Sequence, residues 1–208
     1  MISTMNHVNP PRMTALRELR EAENGSPLSI LIGTILSART RDESTSAVVR
    51  ELFSKYKTAG SLARAKLSDV EKIIKRTGFY HVKAKRIIEV ASIINSKYSD
   101  KVPRTMEELL SLPGVGRKTA NCVLVYAFDE PAIPVDTHVH RISNRLGLVQ
   151  TKTPEETEIE LMKKIPKKHW IRINDTFVMY GQNICKPISP MCSVCQIKKD
   201  CNYYKTTN

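Results

Sequence analysis

The sequence predicts an all-α protein. Helix start and stop signals recur along nearly the whole 208-residue chain. The segments between them repeat their apolar residues at helical spacing, and no stretch alternates apolar and polar residues as a surface strand would.

Ser26 is a suitable N-cap with Pro27 at the first helical position, opening an apolar helix through Leu36. Ser68 and Glu71 read as a capping box before Ile73 and Ile74, and Gly78 as that helix's stop. A long amphipathic helix follows from about Tyr80 to Lys97, with Ile87, Ala91 and Ile94 on one face. Thr105 with Glu108, and Thr153-Pro154-Glu155-Glu156, read as a second and a third capping box. The internal break falls at Asp129 to Pro134, where two prolines forbid a continuous helix. There is no long linker and no low-complexity segment.

The stretch Leu112-Pro113-Gly114-Val115-Gly116 sits between a helix expected to end near Ser111 and one expected to start near Arg117. Two glycines two apart permit a tight turn and close approach of another backbone. Amides of this turn and of the next helix's first residues lack helical partners, so they face outward as anion receptors. A backbone phosphate fits, and such binding would not depend on sequence. A plain helix–turn–helix corner would look the same. The glycine and lysine spacing is not that of a Walker A loop.

Lys118 stands in the first turn of a helix whose continuation, Ala120 to Ala127, is apolar nearly all round and therefore expected to be buried. A cation there opposes the helix dipole, and Arg117 adds like charge; both favour the neutral amine, which is a nucleophile. The alternative is a charged lysine that binds phosphate. Asp136 heads the segment Thr137 to Arg145 and is well placed as an N-cap. Near Lys118 the same carboxylate would also accept a proton or stabilise positive charge growing on a sugar. In that segment Val139, Ile142 and Leu146 form an apolar face, and His138, Arg141 and Arg145 a basic one; His140 is expected on the exposed side.

Cys185, Cys192, Cys195 and Cys201 follow the spacing C-x6-C-x2-C-x5-C. Four thiolates so close in sequence read as one metal site. Structural zinc sites pair two short knuckles, and only Cys192 and Cys195 form one here. The spacing favours a 4Fe–4S cluster and leaves zinc open. Cys122, mid-helix in an apolar run, reads as inert core.

Composition fits these signals. With 33 Lys+Arg against 21 Asp+Glu, the formal charge is +12, and a cluster held by four thiolates would lower it by about 2. So basic a chain favours a polyanionic partner. No apolar run is long enough to span a membrane, and Met1 to Asn9 lacks the shape of a signal peptide. The expectation is an intracellular protein without structural disulfides.

Taken together, Leu36-Ser37-Ala38, Gly78-Phe79-Tyr80, Leu112 through Ala120, Val135-Asp136-Thr137-His138 and the four cysteines resemble the endonuclease III family of helix-hairpin-helix DNA glycosylases. The likeness runs from about Pro27 to Cys201. It implies two lobes with a cleft between them. One is a six-helix barrel bearing the hairpin, residues 23–133. The other, residues 1–22 plus 134–208, is helical and holds a 4Fe–4S cluster on Cys185, Cys192, Cys195 and Cys201. It implies that Lys118 is the nucleophile and Asp136 its carboxylate partner, in a bifunctional glycosylase and abasic-site lyase. The expected partner is double-stranded DNA carrying oxidised or ring-damaged pyrimidines or abasic sites, bound by a monomer. Expected DNA contacts are Arg39, Phe79, Tyr80, Gly114, Val115, Gly116, Thr137, His138 and Lys186. Phe79 matches a position that wedges into the base stack, usually aliphatic. Arg39 stands where bacterial relatives usually carry Gln, in the segment that fills the hole left by a flipped base. An arginine there would favour guanine through its paired donors, or contact a phosphate. The cluster is implied to shape a basic loop, Lys186 to Met191. Three alternatives stay open: a monofunctional mismatch glycosylase of the same fold, which would not need Lys118; a hairpin module that only binds DNA; and an electron carrier, which would need neither hairpin nor positive charge.

Overall fold

The computed structural model describes residues 14–22, 26–38, 40 and 42–207, and among them every regular element is helical. Arg39 lies outside the described residues. The chain divides into two compact units, the described residues of Met1–Thr14 and Glu130–Asn208 in one and Ala15–Asp129 in the other.

The unit Ala15–Asp129 is built around α2 (Pro27–Ser37). This helix is apolar on every side, and Leu28 through Leu36 are all buried, as an all-round hydrophobic helix requires. Packed on it are α1 (Ala15–Ala22), α3 (Asp42–Lys55), α6 (Tyr80–Tyr98) and α8 (Arg117–Phe128). At Gly33 an added Cβ would stand 2.6 Å from Leu19 Cδ1, so the absence of a side chain lets α1 sit close. The short α4 (Ala59–Ala63) packs on α6, and α5 (Leu67–Ile74) on α3 and α6. α7 (Met106–Leu110) packs on α8.

The caps differ from expectation: Ser26 stands at the N-cap of α2 without a side-chain cap bond, and Thr105 and Thr153 cap without a reciprocal bond. α5 begins at Leu67 with Lys66 as N-cap and no side-chain cap bond, so Ser68 lies inside the helix rather than ahead of it. The reciprocal capping box occurs one element earlier, where Thr58 and Ser61 exchange bonds at the start of α4. Thr105 caps α7 and Thr153 caps α10 (Pro154–Lys164), each accepting from the amide three residues on. α6 begins and ends on left-handed residues, Phe79 and Ser99, neither of them glycine.

In the other unit, α9 (Thr137–Leu146) packs against α10, α11 (Trp170–Asn183) and α12 (Asn202–Thr207). Its core joins Ile133, Val139, Ile142, Leu161, Phe177 and Ile184, with Cys185 and Cys195 packed at its margin. Asn174 donates to Pro134 O at 2.8 Å and ties the proline-bearing segment to α11.

Candidate functional site

The hairpin forms between α7 and α8 as its sequence demands. Val115 N donates to Leu112 O at 3.1 Å, closing the turn. Gly114 takes φ 73, where an added Cβ would stand 2.9 Å from Arg86 Cδ; both the conformation and the space call for glycine. Gly116 is extended, and nothing lies within 4 Å of where its Cβ would be. Its open side therefore faces away from the fold. The Val115 side chain turns inward and is buried, and its amide is the one that closes the turn.

Gly116 is the N-cap of α8 and has no side chain to satisfy the first amides of that helix. Lys118 follows in the first turn and is partly exposed. Behind it Ala120, Asn121, Cys122, Val123, Val125 and Tyr126 are buried, and α8 packs on α2. The helix is thus a fixed post with one amine at its outer end. Cys122 is fully buried, as an inert core residue should be.

Asp136 caps α9. Its Oδ1 accepts from His138 N at 2.9 Å and Val139 N at 2.8 Å, leaving Oδ2 out of the capping pair. The cap therefore orients the carboxylate without using it up. Thr137 is exposed and His138 partly buried beside Arg141, whose Nη2 stands 3.1 Å from His138 Nδ1. His140 is also partly buried: its Nδ1 meets the hydroxyl of buried Thr157 at 2.7 Å, so it does not stand on the exposed side of α9.

The basic stripe of α9 is engaged by the cysteine loop. Arg141 donates to Cys185 O at 2.9 Å and to Gly181 O at 3.3 Å. Arg145 donates to Lys186 O at 2.7 Å and Pro187 O at 2.9 Å, reaches Cys185 Sγ at 3.4 Å, and lies over the Tyr203 ring at 4.4 Å. The sequence shows both arginines but not their partners. Their signal is the four-residue spacing, which puts two cations above one another on a single face.

All four cysteines line one pocket, whose wall includes Ile142, Leu146, Ile184, Ile197 and Tyr203. Tyr180 Oη is 2.8 Å from Cys195 Sγ, and Cys201 Sγ donates to Arg145 O at 3.3 Å. Burial pushes the Cys192 thiol up, and Cys195, Cys185 and Cys201 add to the rise against Arg145. The Cys192 sulfur thus feels the other three. Among the described residues no three such donors are gathered tightly enough to hold a metal ion as they stand. The donor set, four thiols around one apolar pocket, has the chemistry that an iron–sulfur group or a zinc ion takes. Lys186 is exposed on the loop leaving Cys185, and Ile188 beyond it is 85% exposed.

Phe79 is 63% exposed at φ 57, an uncommon backbone conformation for an aromatic residue. Tyr80 is partly buried, its ring centroid 4.0 Å from that of His81. Nearby stands a residue the sequence reading passed over. Lys83 is 7% exposed and donates to Leu36 O, Ala38 O and Thr40 Oγ1 at 2.7–2.8 Å. Its signal was present in the periodicity, since Lys83 shares the helix face of Ile87, Ala91 and Ile94.

Residues 32–167 match the family model described as HhH-GPD superfamily base excision DNA repair protein. The chain is 50% identical over 186 residues to Endonuclease III of Thermotoga maritima, covering 89% of this chain and 87% of that protein. It is 39% identical over 182 residues to Endonuclease III of Bacillus subtilis, covering 87% and 83%. Among solved structures it resembles a trapped endonuclease III–DNA covalent intermediate with a TM-score of 0.82 at 37% identity, over 92% of this chain and 94% of that one. A thermostable thymine-DNA glycosylase gives a TM-score of 0.83 at 27% identity, over 98% and 93%.

Proposed function

The chain belongs to the HhH-GPD superfamily of base excision DNA repair proteins and is a DNA glycosylase/lyase of the endonuclease III type; from that premise we propose that it excises oxidised or ring-damaged pyrimidines from duplex DNA and nicks the strand through a Schiff base on Lys118. The observation that carries this reading is Lys118 itself, one amine at the outer end of a buried helix, two residues past a turn built to face a phosphate. A relative similar over nearly the whole chain has been trapped covalently on DNA, which supports a nucleophile here.

In the proposed mechanism the damaged nucleotide leaves the stack, since its glycosidic bond is unreachable inside it. Gly114 and Gly116 amides hold a phosphate of that strand, the Val115 amide being committed to Leu112 O, while Phe79 and Arg39 fill the space the base vacates. Tyr80, Thr137, His138 and Lys186 supply further contacts to the DNA. As the glycosidic bond breaks, the base departs with the electron pair and positive charge develops on the sugar, which the Asp136 carboxylate stabilises. Lys118 Nζ bonds to C1′, loses its protons, and the ring opens to the imine. Removal of a C2′ proton then expels the phosphate from C3′, leaving a nicked strand. Cys185, Cys192, Cys195 and Cys201 would hold a 4Fe–4S cluster, which would cross-link the segment that carries Lys186 and take no part in the elimination. The protein acts on DNA as a monomer inside the cell.

Borohydride added during reaction with abasic duplex is expected to trap the native chain covalently. Lys118→Gln is expected to give no adduct and to lose strand nicking by about a thousandfold or more. Base release with an intact strand from the native chain would instead identify a monofunctional glycosylase.

A further inference from the structure

An ammonium carries three N–H donors, and at Lys83 all three are committed to oxygens within the fold: Leu36 O, Ala38 O and Thr40 Oγ1. None remains for DNA or for chemistry. Two of the acceptors are carbonyls at the C-terminal end of α2, which a helix leaves without internal partners and where its dipole favours a cation. The third acceptor extends the network. Thr40 Oγ1 also accepts the amide of Gly78 at 3.3 Å, and Gly78 precedes Phe79. The exposed aromatic at φ 57 therefore leaves a backbone anchored through Thr40 to Lys83, and Val82 beside it is 62% exposed.

We infer that Lys83 is a positioning residue that locks Leu36, Ala38 and Thr40 to Gly78 and Phe79 as one rigid unit, the unit with which the protein opens a damaged duplex. The inference rests on the repair function proposed above. A plain helix cap would need only the α2 carbonyls. Here the same nitrogen also holds the hydroxyl that fixes the start of an exposed, strained aromatic segment. Keeping a cation in this place is costly: burial pushes the Lys83 amine down to about 8. A neutral amine, with two N–H groups, would leave one of the three oxygens without a donor. A wedge that unstacks bases works against a few kcal/mol per step, so it must not yield when the stack pushes back.

The test compares two abasic duplexes, one fully paired and one with the abasic site in a short mismatched bubble that is already unstacked. Lys83→Met keeps the side chain's length and removes its donors. Single-turnover nicking of the paired duplex is expected to fall about tenfold, with the bubble duplex within about twofold of native. Thr40→Val leaves Lys83 in place but cuts the connection to Gly78, and is expected to change the same ratio about threefold. If Lys83→Met does not fold, the ratio for Thr40→Val decides. Equal losses on both duplexes, or none on the paired one, would overturn the inference and leave Lys83 a structural cap. A native chain that nicks neither duplex would refute the repair reading itself, and this inference with it.

Discussion

Asp136 has two tasks that one substitution can separate. As an N-cap it needs only an oxygen facing the His138 and Val139 amides, and an asparagine carbonyl supplies that equally well. As a catalytic group it needs a negative charge, which asparagine lacks. Asp136→Asn is therefore expected to change unfolding free energy by less than about 0.5 kcal/mol in urea, while nicking of abasic duplex falls about a hundredfold or more. Asp136→Ala should lose about 1 kcal/mol as well. Full activity in Asp136→Asn would reduce this residue to a cap. The capping role was legible because an aspartate before a helical pattern has a local cause. Lys83 was not read, because one lysine among Lys83, Lys85 and Arg86 looks solvated until its partners are known, and those lie 43 to 47 residues away. His140 went the same way, its partner being Thr157, 17 residues on.

At the level of the element, the hairpin makes the sharper distinction. Gly114 and Gly116 look alike in sequence, yet only Gly114 is conformationally required. Gly114→Ala forces a side chain into the left-handed region against Arg86 and is expected to cost about 1–2 kcal/mol of stability. Gly116→Ala meets nothing within 4 Å, so its stability should stay within about 1 kcal/mol of native. Its new methyl would stand on the open side, where a phosphate must come close, and duplex affinity is expected to drop about tenfold in a titration at fixed salt. Unchanged binding would show that the turn does not touch the backbone. Helices were the most legible feature, because caps and apolar spacing are local: the helix expected from about Tyr80 to Lys97 runs Tyr80–Tyr98. The start of α5 was misplaced because Ser68 and Glu71 carry a capping pattern while the N-cap falls two residues earlier, at Lys66. The stop at Ser99 carried no glycine to announce it.

For the molecule as a whole, charge sets the terms of the encounter with DNA. A net +12 cannot be read as fold information, but it fixes how the protein meets a polyanion. If Lys186 and other lysines and arginines neutralise several phosphates, each releases condensed counterions and adds about 0.9 to the slope of log affinity against log salt. Five such contacts would give a slope of about −4 to −5, and affinity for undamaged duplex should follow nearly the same line, since phosphates carry no sequence information. A damaged duplex should bind more tightly by a margin almost independent of salt, because base insertion and pocket contacts are short-range and mostly uncharged. Titrations at several salt concentrations with paired and abasic duplexes separate the two contributions. Parallel lines place discrimination in the opening of the stack. Converging lines at high salt would place it in additional phosphate contacts, and a flat line would mean that the positive charge is solvated surface with no part in holding DNA.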